Sequence, residues 1–170
     1  VSILVEGNGQ RLIIVKGAPE DILRLSARYQ QQGSPRALDA PARVTAETTF
    51  NALGREGYRV LGVAWRQVDQ QRQNASVADE TDLTFAGFLA FLDPPKAGAR
   101  EALTALAKLG VAVKVVTGDN EQVTRHVCAE LGLAVRGTLT GPEVSSLTDE
   151  ALTARIDDTT LFCRVTPPQK

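Results

Sequence analysis

Two short stretches of this chain gather residue types that could do chemistry. Thr117-Gly118-Asp119-Asn120 sets a hydroxyl, a small turn residue and a carboxylate between a valine-rich run and the start of a helical pattern. At the carboxyl end of a strand in an open α/β sheet, helix N-terminal amides and loop side chains converge on an anion or a metal. Lys16-Gly17-Ala18-Pro19-Glu20 pairs a cation with a residue that has no side chain, so a flat ligand could approach the backbone beside an ammonium group. A third candidate is Arg59. It falls in an apolar run where it needs either a partner or an open pocket. Each has a plain reading too: a strand-to-helix corner for Lys16 to Glu20, and an ordinary helix cap for Asp119 and Asn120.

The elements that must position these residues follow from pattern and punctuation. Val1 to Val5 and Arg11 to Val15 read as an antiparallel pair joined by Gly7-Asn8-Gly9. Pro19 starts a helix that carries Ile22, Leu23 and Leu25 and runs as far as Tyr29; Gln30 to Pro35 reads as a loop. A second helix, Ala42 to Glu56, buries Val44, Phe50 and Leu53, with Gly57 beyond its end. Tyr58 to Val68 is a strand apolar on both faces, and Asp69 to Asp82 is an irregular surface loop. Leu83 to Leu92 is a strand stopped by Asp93-Pro94-Pro95-Lys96, since neither proline can donate to a ladder.

From there the pattern changes to alternating strand and helix. Ala99 to Leu109 places Ala99, Leu103, Leu106, Ala107 and Leu109 on one helical stripe ending at Gly110. Val111 to Val116 reads as a short buried parallel strand, and Val123, Val127 and Leu131 mark a helix closed by Gly132. Thr138 to Thr140 and Leu161 to Val165 read as strands, with helices at Pro142 to Ser146 and Asp149 to Ile156. His126 reads as a solvated or capping helix residue, Cys128 as core, and Asp157-Asp158 as a solvated turn. Residues 1–92 and 97–170 thus form two regions about a hinge at 93–96.

Bulk properties narrow the function. The 170 residues are 43% hydrophobic and 23% charged, with a net charge of −1. No basic run supplies the electrostatic footprint of a nucleic-acid binder. The longest apolar run is about half of the roughly 20 residues a membrane helix needs, so this piece is expected to be soluble. Cys128 and Cys163 lack metal-ligand spacing and read as reduced thiols. A start inside a strand and the absence of methionine lead to the expectation of a fragment of something larger.

KGAPE after an antiparallel strand, DPPK at a hinge and TGDN after the next strand, in this order, resemble the cytoplasmic region of P-type cation-transporting ATPases. Phe162-Cys163-Arg164-Val165-Thr166-Pro167 extends the resemblance, with cysteine where the family has alanine. The bacterial magnesium-transporting branch is the most similar. The resemblance implies an α/β fold: part of an antiparallel-sheet nucleotide-binding domain, then part of a Rossmann-like, haloacid-dehalogenase-type phosphorylation domain. It implies ATP and Mg2+ as cofactors. Lys16 and Gly17 would line the adenine pocket, and Arg59, in Gly57-Tyr58-Arg59-Val60-Leu61, would reach ribose or phosphates. Asp93 would belong to the hinge, while Thr117, Gly118 and Asp119 would hold the terminal phosphate. Lys96 departs from the family's arginine, which puts a bidentate phosphate contact there in doubt.

The family's phosphorylated D-K-T-G-T segment and its magnesium-coordinating G-D-G-x-N-D-x-P segment are absent. In the family's order they lie outside this chain, as do the transmembrane helices and the actuator domain. The expectation is therefore a fragment from the cytoplasmic face of an integral membrane protein, unable to form a phosphoenzyme by itself and weak in binding nucleotide. Two rivals stand beside it. One is a haloacid-dehalogenase-type phosphatase, which needs its own nucleophilic aspartate after a strand; the other is a non-catalytic nucleotide-binding module.

Overall fold

The computed structural model describes residues 1–7 and 9–170. Asn8, at the centre of the expected first turn, lies outside the described residues. Residues 1–53 with 60–91 form one compact unit and residues 54–59 with 92–170 form another.

In the first unit, β1 (Ser2–Gly7) and β2 (Gln10–Gly17) pair antiparallel, as their β-branched runs require. Helix α1 (Pro19–Leu25) starts on Pro19 and buries Pro19, Ile22 and Leu23. It stops at Leu25, four residues short of the expected Tyr29. There the Ser26 hydroxyl donates to the Ile22 carbonyl at 2.7 Å and the chain enters β3 (Ser26–Gln31). The expected loop at Gln30 to Pro35 is instead a tight hairpin into β4 (Ser34–Ala37). Gln32 and Gly33 both take positive φ, 49° and 84°, the pair of angles a two-residue turn between twisted strands demands. Pro35 is tolerated because β4 is the edge of its sheet.

Helix α2 (Ala40–Arg55) packs Ala42 and Ala46 on the core and buries Phe50, whose ring lies 6.2 Å from that of Phe88. Val44, expected inside, is 60% exposed, because two residues along a helix rotate it away from the Ala42 side. Strand β5 (Arg59–Val68) pairs antiparallel with β2, and β6 (Leu83–Phe91) completes a six-stranded sheet of order β1-β2-β5-β6-β3-β4. Only the β3 and β6 pair among the described registers of this sheet is parallel. The core is Ile13, Val15, Ile22, Leu23, Leu38, Ala64, Leu83 and Phe85.

The polar stretch between β5 and β6 is not merely a surface loop. Its 3-10 turn Val77–Asp79 buries the Asp79 carboxylate, which accepts from the Ser76 amide at 2.9 Å, from the Ser76 hydroxyl at 2.7 Å and from Arg72, with Arg66 at 3.6 Å. The Ser76 hydrogen bonds, and then the Arg72 charge, hold its carboxyl below the usual range. A depressed folded pKa stabilises above the unfolded value and the gain is lost as pH falls through the folded one. We therefore expect urea stability to decline on acidification below about pH 4. Asp79→Asn should lower the urea midpoint at neutral pH and flatten that decline; equal acid slopes for the two proteins would contradict it.

The second unit is built on three parallel strands, β7 (Val115–Val116), β9 (Leu161–Cys163) and β8 (Thr138–Thr140), in the order β7-β9-β8. Helices α3 (Ala99–Lys108), α4 (Glu121–Leu131), α5 (Gly141–Ser146) and α6 (Asp149–Ile156) surround it. Alternation along β9 sends Leu161 and Cys163 toward Cys128 of α4, and Phe162 to the opposite cluster with Val144 and Leu152. Burial pushes both thiols up, so Cys128 and Cys163 remain unreactive core residues.

One expectation fails here, and another, the helix from Ala99, holds with an exposed face. Of Val111 to Val116 only Val115 and Val116 pair, and Val116 is 45% exposed, because β7 is an edge with a neighbour on one side. The stripe on α3 buries no residue, and Leu109 is 78% exposed. Lys114, just before β7, closes the end of α6. Its Nζ donates to the carbonyls of Ile156, Asp157 and Thr159 at 2.6, 3.0 and 2.8 Å. Lys114→Met should cost about 1–2 kcal/mol of unfolding free energy by urea titration.

Candidate functional site

Thr117 to Asn120 leaves β7 and opens α4, where the Asn120 side chain caps the helix by accepting from the Val123 amide at 2.9 Å. Backbone bonds fasten this loop to the exit of β9. The Thr117 amide donates to the Phe162 carbonyl at 2.9 Å, the Val165 amide to the Thr117 carbonyl at 3.0 Å and the Arg164 amide to the Asp119 carbonyl at 2.9 Å. Inside the loop, the Thr117 hydroxyl donates to Asp119 Oδ2 and accepts from the Asp119 amide, both at 3.1 Å. A side chain on Gly118 would find room, its nearest neighbour being the Val165 carbonyl at 3.7 Å. Gly118 is therefore not required by packing.

The free edge of Asp119 is where Arg59 arrives. Arg59 Nε lies 3.1 Å from Asp119 Oδ1, and Nη1 lies 3.8 Å from Asp93 Oδ2. The three side chains are 55%, 36% and 76% exposed for Arg59, Asp119 and Asp93, so water reaches the group from one side. The structure thus brings together Arg59, Asp93 and the Thr117 to Asp119 loop, three of the features singled out in the sequence. It does not bring Lys96 to them. Lys96 borders a cleft of about 360 Å³ with Arg100 and Glu130, at the far end of α4 from Asp119. An 11-residue helix is about 16 Å long. The reason is the left-handed turn at Gly98, φ 82°, which swings the chain after Pro95 into α3, where Arg100 donates to the Glu130 carbonyl.

Lys16 and Gly17 belong to the first unit. Lys16 is exposed near the end of β2, its backbone tied to Val1 in both directions at 2.9 Å, and among the described residues its ammonium has no partner. Gly17 stands opposite Gly62 of β5, with Ile22 across both. A Cβ on Gly17 would meet Ile22 at an ordinary 3.6 Å, whereas on Gly62 it would come to 2.9 Å. Close packing of α1 therefore requires Gly62, a residue that sequence reading passed over although an interior strand glycine signals such an approach. A cleft of about 530 Å³ lies between α1 and α2, lined by Leu23, Arg43 and Phe50 but not by Lys16.

Chemically, the arrangement around Arg59 is one guanidinium paired with two carboxylates. A planar guanidinium, already holding two carboxylates, presents the fork that phosphate oxygens also accept. Among the described residues no group of three His, Cys, Asp or Glu side chains could hold a metal ion. His126, expected to be a solvated or capping helix residue, is half-buried: Nδ1 donates to the Arg55 carbonyl at the end of α2 at 2.9 Å and the ring covers Gly57.

The family model described as "P-type ATPase, cytoplasmic domain N" matches residues 1–98 of the 170. The chain belongs to the P-type ATPases. Among relatives of this P-type ATPase chain, the magnesium-transporting ATPase, P-type 1, of Salmonella typhimurium strain LT2 is 40% identical over 174 residues. The protein of the same name in Escherichia coli K12 is 34% identical over 168 residues, and an endoplasmic reticulum-type calcium-transporting ATPase 3 of Arabidopsis thaliana is 33% identical over 178. These alignments cover 99–100% of the chain but only 18–19% of each relative, so the chain spans about a fifth of their length. The mixed α/β first unit, with its mainly antiparallel sheet, is consistent with the matched N domain of this P-type ATPase chain. Among the described residues no helix is long and apolar enough to cross a membrane.

Proposed function

We propose that the chain is the ATP-binding part of an ATP-driven cation transporter, for magnesium, that works through a phosphoaspartate formed on a residue outside this stretch. Residues 1–92 would be the C-terminal part of the nucleotide-binding domain, 93–96 the hinge and 97–170 part of a Rossmann-like phosphorylation domain. The three parallel strands with helices on both faces support the last reading. The observation that carries the proposal is the fork of Arg59 set between Asp93 and the Thr117 to Asp119 loop.

In this reading Lys16 and Gly17 take the adenine, and Arg59 exchanges carboxylate oxygens for those of the nucleotide. The Thr117 hydroxyl and the loop amides orient the terminal phosphate, while the Asp119 carboxylate keeps the cation network in order. Asp93 marks the hinge. Lys96 enters as a hinge cation rather than a phosphate ligand, given its distance from the loop. Mg2+ arrives with the nucleotide and neutralises phosphate charge; Asp119 is the one carboxylate of the loop, so most of its ligands come from elsewhere. The rest of the transporter, its transmembrane and actuator domains, would place this part at the cytoplasmic face of a membrane.

The test is a nuclear magnetic resonance titration of the chain with ATP and with ADP. Saturable shifts at Lys16, Gly17 and Arg59 are expected, with the Thr117 to Asp119 amides responding more to ATP. Shifts confined to the cleft between α1 and α2, or a stable acyl-phosphate formed on the chain from radiolabelled ATP, would refute the proposal.

A further inference from the structure

We infer that His126 is a positioning residue for Arg59: its ring, wedged against Gly57 and bonded to the Arg55 carbonyl, sets the turn that delivers the guanidinium to Asp119. The inference rests on the nucleotide role of Arg59 proposed above. It starts from one contact. Gly57 takes φ 85°, and a Cβ there would overlap the His126 ring, 2.7 Å from Nε2 and 3.1 Å from Cγ. The imidazole fills the space a side chain would need, and only glycine adopts that backbone freely.

The polar edge of the ring is used as well. Arg55 is the last residue of α2, and its carbonyl is one of the terminal acceptors that a helix leaves without an internal partner. A carbonyl can only accept, so Nδ1 carries the proton and donates at 2.9 Å. One helical turn before His126, Gln122 lies against Gly54, where an added Cβ would meet its Oε1 at 3.1 Å. One turn after, Glu130 Oε1 sits 3.7 Å from Nε2. Gln122, His126 and Glu130 thus form one row along α4, spaced by four residues as neighbours on a helix face are.

This row holds residues 54–57, closed by the Gly57 amide donating to the Gly54 carbonyl at 3.1 Å. Arg59 follows two residues later. The partner of Arg59, Asp119, immediately precedes the cap of the same helix. One rigid element therefore fixes both the loop and the turn that brings Arg59 to it. A guanidinium held in place loses less freedom when it takes up an anion than one that must be ordered by the ligand.

The experiment compares His126→Ala, His126→Asn, Arg59→Ala and the His126→Ala/Arg59→Ala double variant, each as the 170-residue chain titrated with ATP. His126→Ala should weaken ATP binding about fivefold, and His126→Asn, which restores an N–H donor near Nδ1, should regain most of it. In the Arg59→Ala background, removing His126 should change affinity by less than about twofold. An undiminished His126→Ala effect in that background overturns the inference. Full affinity in Arg59→Ala would instead sink the nucleotide reading. A second measurement needs no nucleotide: the Arg59 Nε–H resonance should exchange faster with water in His126→Ala and recover in His126→Asn, and unchanged exchange overturns the positioning role.

Discussion

Gly141→Ala is expected to cost about 3 kcal/mol or more of unfolding free energy, the largest single-site loss of stability we foresee in the second unit. Gly141 is buried at the start of α5, and a Cβ there would overlap the Arg164 carbonyl oxygen and lie 3.0 Å from its carbon. Both are backbone atoms and cannot rotate aside. Arg164 itself is held at φ 55°, a conformation unusual for a residue with a side chain, and its amide donates to the Asp119 carbonyl at 2.9 Å. A methyl group at Gly141 must therefore push on the segment that steadies the Thr117 to Asp119 loop. Urea unfolding of wild type and variant measures the cost, and amide shifts at Asp119 show whether the push is transmitted. A loss below about 1 kcal/mol would mean that this crossing opens easily.

Arg59→Ala should leave stability nearly intact and weaken ATP binding at least tenfold, a factor that corresponds to about 1.4 kcal/mol. The two expectations have one origin. Arg59 is more than half exposed and its partner Asp93 more exposed still, so their pairs are screened by water and contribute about 0–1 kcal/mol to folding. A phosphate brings more charge than a carboxylate and meets a fork that is already oriented, so the same guanidinium matters more in binding. Arg59→Lys should recover only part of the affinity, because an ammonium cannot reproduce the two parallel bonds. Equal melting temperatures with an ATP affinity within about twofold of wild type would remove Arg59 from the site.

What the sequence determined by itself was whatever is governed within a few residues. Pro19 starts a helix, Asn120 caps one and Gly132 closes it at φ 72°; each boundary is set by a missing donor, a side-chain acceptor or a permitted backbone angle. The KGAPE and TGDN stretches were legible for the same reason, as local turns between elements of recognisable period. The tertiary structure decided which faces are covered. Val44 and Val111 carry apolar side chains that stay 60% and 47% exposed, whereas Asp79, in a stretch that reads as exposed loop, is buried because Arg72 and Ser76 satisfy it. Nor does spacing show that Asp93 reaches Arg59 while Lys96, three residues on, does not. That depends on one left-handed glycine and on how α3 meets α4. His126 gave no signal at all, since its value lies in a carbonyl 71 residues away and in the empty place of a glycine side chain. Caps and turns act through bonds between chain neighbours, but burial and the meeting of distant side chains exist only once the chain has packed.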